Sequence, residues 1–155
     1  RGRRGRRRPH LNRPERHMYE FDGIEDLQRK RDIEADGTEL GLPGGITLIV
    51  RAASDGNPLW KAQAEKIGKE LRRLRNARAT SDRLRAFLAP KYAELLVKDW
   101  RGVKSRGVDI PYSVEACTAF LKAADDAYAA IDEVVWDTQN FRGARIEAVV
   151  EHAGN

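Results

Sequence analysis

The sequence predicts a mainly α-helical α+β domain of about five helices with a small β-hairpin near its N-terminus. Three observations predict it. Apolar residues recur at spacings of 4, 3, 4 and 3 along residues 60–74, and residues 84–100 and 127–138 also place apolar side chains on one helical face. Two short runs rich in strand-favouring residues flank the Pro43-Gly44-Gly45 turn signal. The chain has 155 residues, 41% hydrophobic and 34% charged, which suits one packed core under a heavily solvated surface and leaves little room for a second.

Taken in order, Ile24, Leu27 and Arg31 share one side of a short segment ending near Ile33, enough for a brief helix. Gly37–Leu42 and Ile46–Val50 then form the hairpin. Pro43 sets its own φ and the two glycines admit the positive φ of a tight reversal, so the tripeptide is a turn. A phosphate cradle would need a Lys-Ser/Thr ending or a GxGxxG pattern. After Asn57-Pro58, suited to a helix start, Trp60, Ala64, Ile67, Leu71 and Leu74 make one apolar stripe. Lys61, Lys69, Arg72, Arg73 and Arg75 lie largely off it, a basic face without the interleaved aromatics that base stacking uses.

Thr80-Ser81-Asp82 opens the next helix, whose face is expected to continue through Leu84, Leu88, Tyr92, Leu95, Leu96 and Trp100, with Pro90 kinking or restarting it. Residues 102–112 read as a loop punctuated by Gly102, Gly107 and Pro111. Ser113 begins another helix, with Tyr112 expected to staple onto Cys117. The last segment places Ala127, Ile131, Val134, Val135 and Thr138 on one face. After a break at Asn140 or Gly143 it places Phe141, Ala144, Ala148 and Val149 on another, so it reads as helix to the C-terminus. Asp125, Asp126, Asp132, Glu133 and Asp137 along it match no EF-hand loop and read as a solvated acidic face.

Charge divides the chain at residue 17. Residues 1–17 hold eight arginines (Arg1, Arg3, Arg4, Arg6, Arg7, Arg8, Arg13 and Arg16) against Glu15, a net +7, whereas 18–155 hold 21 basic and 23 acidic residues, a net −2. The formal charge of +5 is therefore a property of this arm. Residues 1–17 are read as an arginine-rich arm outside a single helical domain spanning 18–155. Three origins compete for the arm: a cloning remnant, a natural tail for an acidic surface, and a segment that folds on RNA or DNA. His17-Met18 is the pair a common cloning junction encodes, which favours the first.

The chemistry of catalysis is not announced. His10, His17 and His152 lie in the arm or at the far C-terminus, so no nucleophile–base pair is suggested, and no enzyme activity is expected. One cysteine, Cys117, excludes an internal disulfide and is too little for a structural zinc site, and no cofactor is expected. No run approaches the roughly 18 apolar residues of a membrane helix, so a cytoplasmic setting is expected.

From Met18 onward an ordered series of features resembles the tail assembly chaperones of long-tailed phages and prophages. It runs from Tyr19-Glu20-Phe21-Asp22-Gly23-Ile24, through a hairpin ending in Leu48–Ala53, to Asn57-Pro58-Leu59-Trp60 and a basic helix. Next comes Asp99-Trp100-Arg101-Gly102-Val103, a short polar loop, Ile110-Pro111-Tyr112-Ser113-Val114-Glu115, and finally Asn140-Phe141-Arg142. The block looks like that family's D-W-x-G-V and I-P-Y-S-x-E segments, although residues 104–109 lack the acidic pair often seen there. Asn57, Pro58, Trp60, Asp99, Trp100, Gly102, Pro111, Tyr112, Ser113 and Phe141 carry the likeness and read as scaffold.

The resemblance implies a protein of the bacterial host cytoplasm that holds the tape measure protein, helps recruit tail tube subunits and is absent from the finished particle. Reversible contacts through apolar patches rimmed by charge would suit that work. Self-association would be compatible with it. The rivals are a nucleic-acid-binding protein using the arm arginines Arg1, Arg3, Arg4, Arg6, Arg7 and Arg8, and a structural tail or connector component of the virion.

Overall fold

A computed structural model describes residues 19–149. The order of elements is α1 (Arg31–Asp36), β1 (Thr38–Leu42), β2 (Ile46–Val50), α2 (Pro58–Asn76), α3 (Ser81–Leu95), β3 (Val97–Arg101), β4 (Lys104–Ser105), β5 (Val108–Asp109), α4 (Val114–Ala123), α5 (Asp125–Val135) and β6 (Ile146–Glu147). The mixed α+β class expected from the sequence is the one found.

The hairpin is the middle of a sheet rather than an appendage. Its strands pair antiparallel from Thr38↔Val50 to Leu42↔Ile46, with Pro43, Gly44 and Gly45 as a three-residue loop. Gly44 and Gly45 have φ of +83° and +76°, values that L side chains rarely adopt. β3 adds antiparallel to β2 and β6 adds parallel to β1, giving the order β3-β2-β1-β6. Alternation sends Leu40, Leu48, Val50 and Trp100 inward, where they join Tyr92, Cys117, Leu121, Ile131, Val135 and Phe141 in one core. The outer face carries an ion-pair lattice. Glu39 takes Arg101 and Arg145 at 2.9 Å each, and Arg145 also reaches Glu147 at 2.5 Å and the Thr47 hydroxyl at 3.1 Å.

β3 corrects the expectation that helix continues to Trp100. α3 ends at Leu95, and Val97–Arg101 is extended. Along β2 the partners step from Val50 to Ile49, while along β3 they step from Val97 to Asp99, so Lys98 is the extra residue of a β-bulge. The bulge places two inward side chains, Val97 and Trp100, three residues apart. Buried Leu96 and Trp100, four residues apart, imitate a helical repeat, and the backbone donors and acceptors of the β2 edge are what select the strand.

The C-terminal region also departs from expectation. α5 ends at Val135, a single 3₁₀ turn covers Thr138–Asn140, and Ile146–Glu147 runs parallel to Leu40–Gly41 as β6 instead of continuing as helix. Ala144 and Val149, assigned to a helical face, are exposed. The loop expected over 102–112 contains the short β4–β5 ribbon. Near the start, Glu25–Leu27 is a 3₁₀ turn with Leu27 80% exposed, and the helix proper begins only at Arg31. Pro90 neither ends nor restarts α3. Its missing N–H costs the donor to the carbonyl of Ala86, an exposed residue whose carbonyl water can serve.

The corner beneath α1 is organised by a buried carboxylate. Glu34 is fully buried, and Arg29 meets it through Nη2 at 2.5 Å and Nε at 3.2 Å, while the Ser54 hydroxyl donates at 2.5 Å. Arg29 also holds Asp55 at 2.7 Å. Burial pushes the Glu34 carboxyl up, but the Arg29 and Ser54 hydrogen bonds outweigh it and hold it below the usual carboxylate range.

Candidate partner-binding groove

Nine of the ten residues that carry the resemblance, all but Phe141, lie at two structural junctions. Asn57 is buried. Its Oδ1 accepts from the Leu59 N–H at 3.2 Å, capping α2, and its amide donates to the carbonyls of Ala52 and Leu95 at 3.0 and 3.1 Å. One side chain thus ties the exit of β2, the start of α2 and the end of α3. Pro58 occupies the first turn of α2, where a missing N–H costs nothing, and Trp60 is buried two residues on in the same turn.

The second junction surrounds Trp100. Its indole N–H donates to the Ile110 carbonyl at 2.8 Å, and its ring meets Tyr112 and Phe120 edge-on at 5.4 and 5.6 Å. The Tyr112 hydroxyl lies 2.7 Å from the Ala93 carbonyl oxygen and 2.6 Å from that of Val97, so it ties helix end to strand start. Its proposed contact with Cys117 is not what anchors it; burial pushes the Tyr112 phenol up to about 12. Asp99 accepts from the Trp100 N–H at 2.8 Å, and Ser113 caps α4 by accepting from the Ala116 N–H at 3.0 Å. Gly102 turns the chain at φ +80°, Pro111 is exposed in the approach to α4, and Phe141 is fully buried. Asn57, Trp100, Tyr112 and Ser113 thus hold neighbouring elements together through hydrogen bonds. Arg1, Arg3, Arg4, Arg6, Arg7 and Arg8 lie outside the described residues.

The open feature is elsewhere. Between α2 and a wall made by α3 and α5 runs a groove of about 590 Å³. Its floor and sides are Trp60, Ala64, Ile67, Gly68 and Leu71 from α2, Leu84 and Leu88 from α3, and Tyr128, Asp132 and Trp136 from α5 and its C-terminal end. Arg72 and Arg75 stand on its rim. Amphipathic α2 turns its apolar stripe toward the core, but the small side chains at Ala64 and Gly68 leave the space unfilled.

An aromatic cluster closes one end of the groove. Trp60 and Trp136 meet edge-to-face at 5.2 Å, and Tyr92 and Tyr128 stack at 5.5 Å. Asp132 accepts from the Tyr92 hydroxyl and, at 3.3 Å, from the Trp136 indole N–H. Burial, reinforced by Asp132, pushes the Tyr92 phenol up strongly, and burial lifts that of Tyr128 to about 12. Trp136 nevertheless remains 47% exposed, a large apolar surface beside an apolar channel. At the other end Arg72 and Arg75 form no ion pair among the described residues, unlike Lys69 and Arg73, which pair with Glu65 and Glu70.

Sequence periodicity expects the α2 side of this groove and Leu84 and Leu88 of its α3 wall, but not the α5 residues. Tyr128 and Trp136 lie on and just after a helix whose periodicity marks only Ala127, Ile131, Val134 and Val135, and Asp132 falls among acids whose pattern suits a solvated face. The available signal was an aromatic set, Trp60, Tyr92, Tyr128 and Trp136, dispersed over three elements that only the fold assembles. Among the described residues no group of three or more His, Cys, Asp or Glu could hold a metal ion, and no helix is long and apolar enough to cross a membrane. Cys117 is buried, and burial pushes its thiol up to about 12.

No curated protein and no solved structure matches this chain. A match to the YdaY prophage protein family covers residues 55–155, a stretch that begins just before the Asn57 junction and takes in both walls of the groove. Because that match spans well over half of the sequence, the chain belongs to the YdaY prophage protein family.

Proposed function

We propose that this prophage protein is a tail assembly chaperone, which binds the tape measure protein reversibly and assists polymerisation of the tail tube. The observation that carries the reading is the unfilled apolar groove between α2 and the α3/α5 wall, with Trp136 exposed beside it and arginines on its rim. Such a surface suits a protein that holds another polypeptide and later releases it, because an apolar centre supplies attraction while a charged rim keeps the contact exchangeable. Membership of a prophage family is consistent with this setting. The ordered D-W-x-G-V and I-P-Y-S-x-E blocks, which fold into the Trp100–Tyr112 junction, supply the link to tail assembly chaperones.

Co-expression with the tape measure protein encoded by the same prophage tests the proposal. Soluble tape measure protein should increase several-fold and should co-purify with this chain. A tape measure protein that remains insoluble, with no co-purification, would overturn the reading.

A further inference from the structure

We infer that the groove between α2 and the α3/α5 wall seats an amphipathic α-helix of the partner protein, apolar on its inward face and bearing carboxylates that meet Arg72 and Arg75. The inference rests on the chaperone reading and specifies the segment that is held. The stretch of α2 from Trp60 to Arg75 is about 22 Å long at 1.5 Å per residue, enough to lie beside about four turns of a second helix. Ala64 and Gly68 lie one turn apart on the groove side, so a helix can approach α2 closely there, against half-buried Leu84 and the exposed ring of Trp136, with Ile67, Leu71 and Leu88 buried beneath.

Charge selects the partner. Arg72 and Arg75 stand three residues apart on one helix and have no carboxylate partner among the described residues. The opposite wall contributes Asp132, already engaged by Tyr92 and Trp136. A helix with acidic residues toward the Arg72–Arg75 end therefore complements the groove, whereas a basic helix meets repulsion there. A nucleic-acid strand fits less well. The rings of Trp60, Tyr92 and Tyr128 are already packed on one another, leaving few free faces for bases, and the Asp132 carboxylate in the lining would repel phosphates.

Gly68→Leu offers a clean probe. A Cβ at Gly68 meets only the Arg72 Nη1 at 3.6 Å, and replacing a glycine within a helix favours the helix, so the variant fills the groove without disturbing the fold. Fluorescein-labelled 20-residue peptides spanning the tape measure protein should be titrated against the full chain by anisotropy, in parallel with the co-expression assay. The best binder should be an amphipathic helix with at least two acidic residues. Gly68→Leu and Arg72→Glu/Arg75→Glu should each weaken it at least 10-fold, and replacing the peptide's acids with lysine should restore binding to the charge-reversed chain.

Rescue of the tape measure protein by the wild type with no peptide bound, or with equal rescue by Gly68→Leu, overturns the helix seat and leaves the chaperone reading standing. A basic best-binding peptide overturns it as well. Binding of a 20-nucleotide oligothymidine that Gly68→Leu abolishes would assign the groove to nucleic acid instead. Failure of rescue by the wild type removes the chaperone reading, and this partner with it.

Discussion

Gly102 packs directly beneath Gly45, so that a Cβ at Gly102 would overlap the Gly45 carbonyl oxygen and lie 3.1 Å from its carbonyl carbon. The tip of the β1–β2 loop and the turn after β3 are thus interlocked by backbone alone. Gly102→Ala should destabilise the fold by about 3 kcal/mol, from the left-handed conformation together with the displaced loop. Gly107→Ala, at φ +78° with nothing within 4 Å, should cost only about 1 kcal/mol. Urea denaturation of the two variants checks the difference.

Tyr112→Phe should destabilise by about 1–2 kcal/mol, because the carbonyls of Ala93 and Val97 lose their shared donor in a partly buried site. The phenyl ring keeps its edge-on contact with Trp100. Near-ultraviolet circular dichroism should therefore stay close to wild type while the urea midpoint falls.

Glu34→Ala removes the acceptor of Arg29 and Ser54 and leaves space among buried atoms, an effect of about 2 kcal/mol at neutral pH. The Glu34 carboxyl lies below its usual range when folded, so it stabilises the protein above the unfolded pKa, about 4.3 for a glutamate. That contribution is lost as pH falls through the depressed folded value. Wild type and variant should converge in stability on acidification, read by denaturant titrations between neutral pH and the acid range.

Alkaline pH should destabilise the protein through its tyrosines. Tyr112 and Tyr128 are pushed up to about 12 and Tyr92 is pushed up further by burial, against about 10 for an unfolded tyrosine. A raised folded pKa contributes stability that is complete below the unfolded value and is lost as pH rises through the folded one. Denaturant midpoints should hold to about pH 10 and decline toward 12. Absorbance at the phenolate band should show these three tyrosines ionising later than free tyrosine.

Local chemistry read the starts of α2, α3 and α4 correctly because each is decided within a few residues. Asn57 caps α2, Thr80 caps α3 by accepting from the Arg83 N–H at 3.3 Å, and Ser113 caps α4. The stripe of Trp60, Ile67, Leu71 and Leu74 is likewise buried as its period implies. The misreadings share a cause. Leu96 and Trp100 keep a four-residue spacing although Trp100 faces inward from a strand paired with β2, and at Ile146–Glu147 two residues became a strand only because the edge of β1 was available to them.

The division of charge between arm and body, the helix caps, the turn at Pro43–Gly45 and the amphipathic α2 were determined by the sequence alone, since each depends on neighbours within about two turns. Tertiary structure decided the strand character of β3 and β6, the burial of Glu34 beneath Arg29 and Ser54, and the groove itself. Those features depend on which distant segments supply hydrogen-bond partners and which side chains face one another across helices, relationships that a linear pattern does not contain.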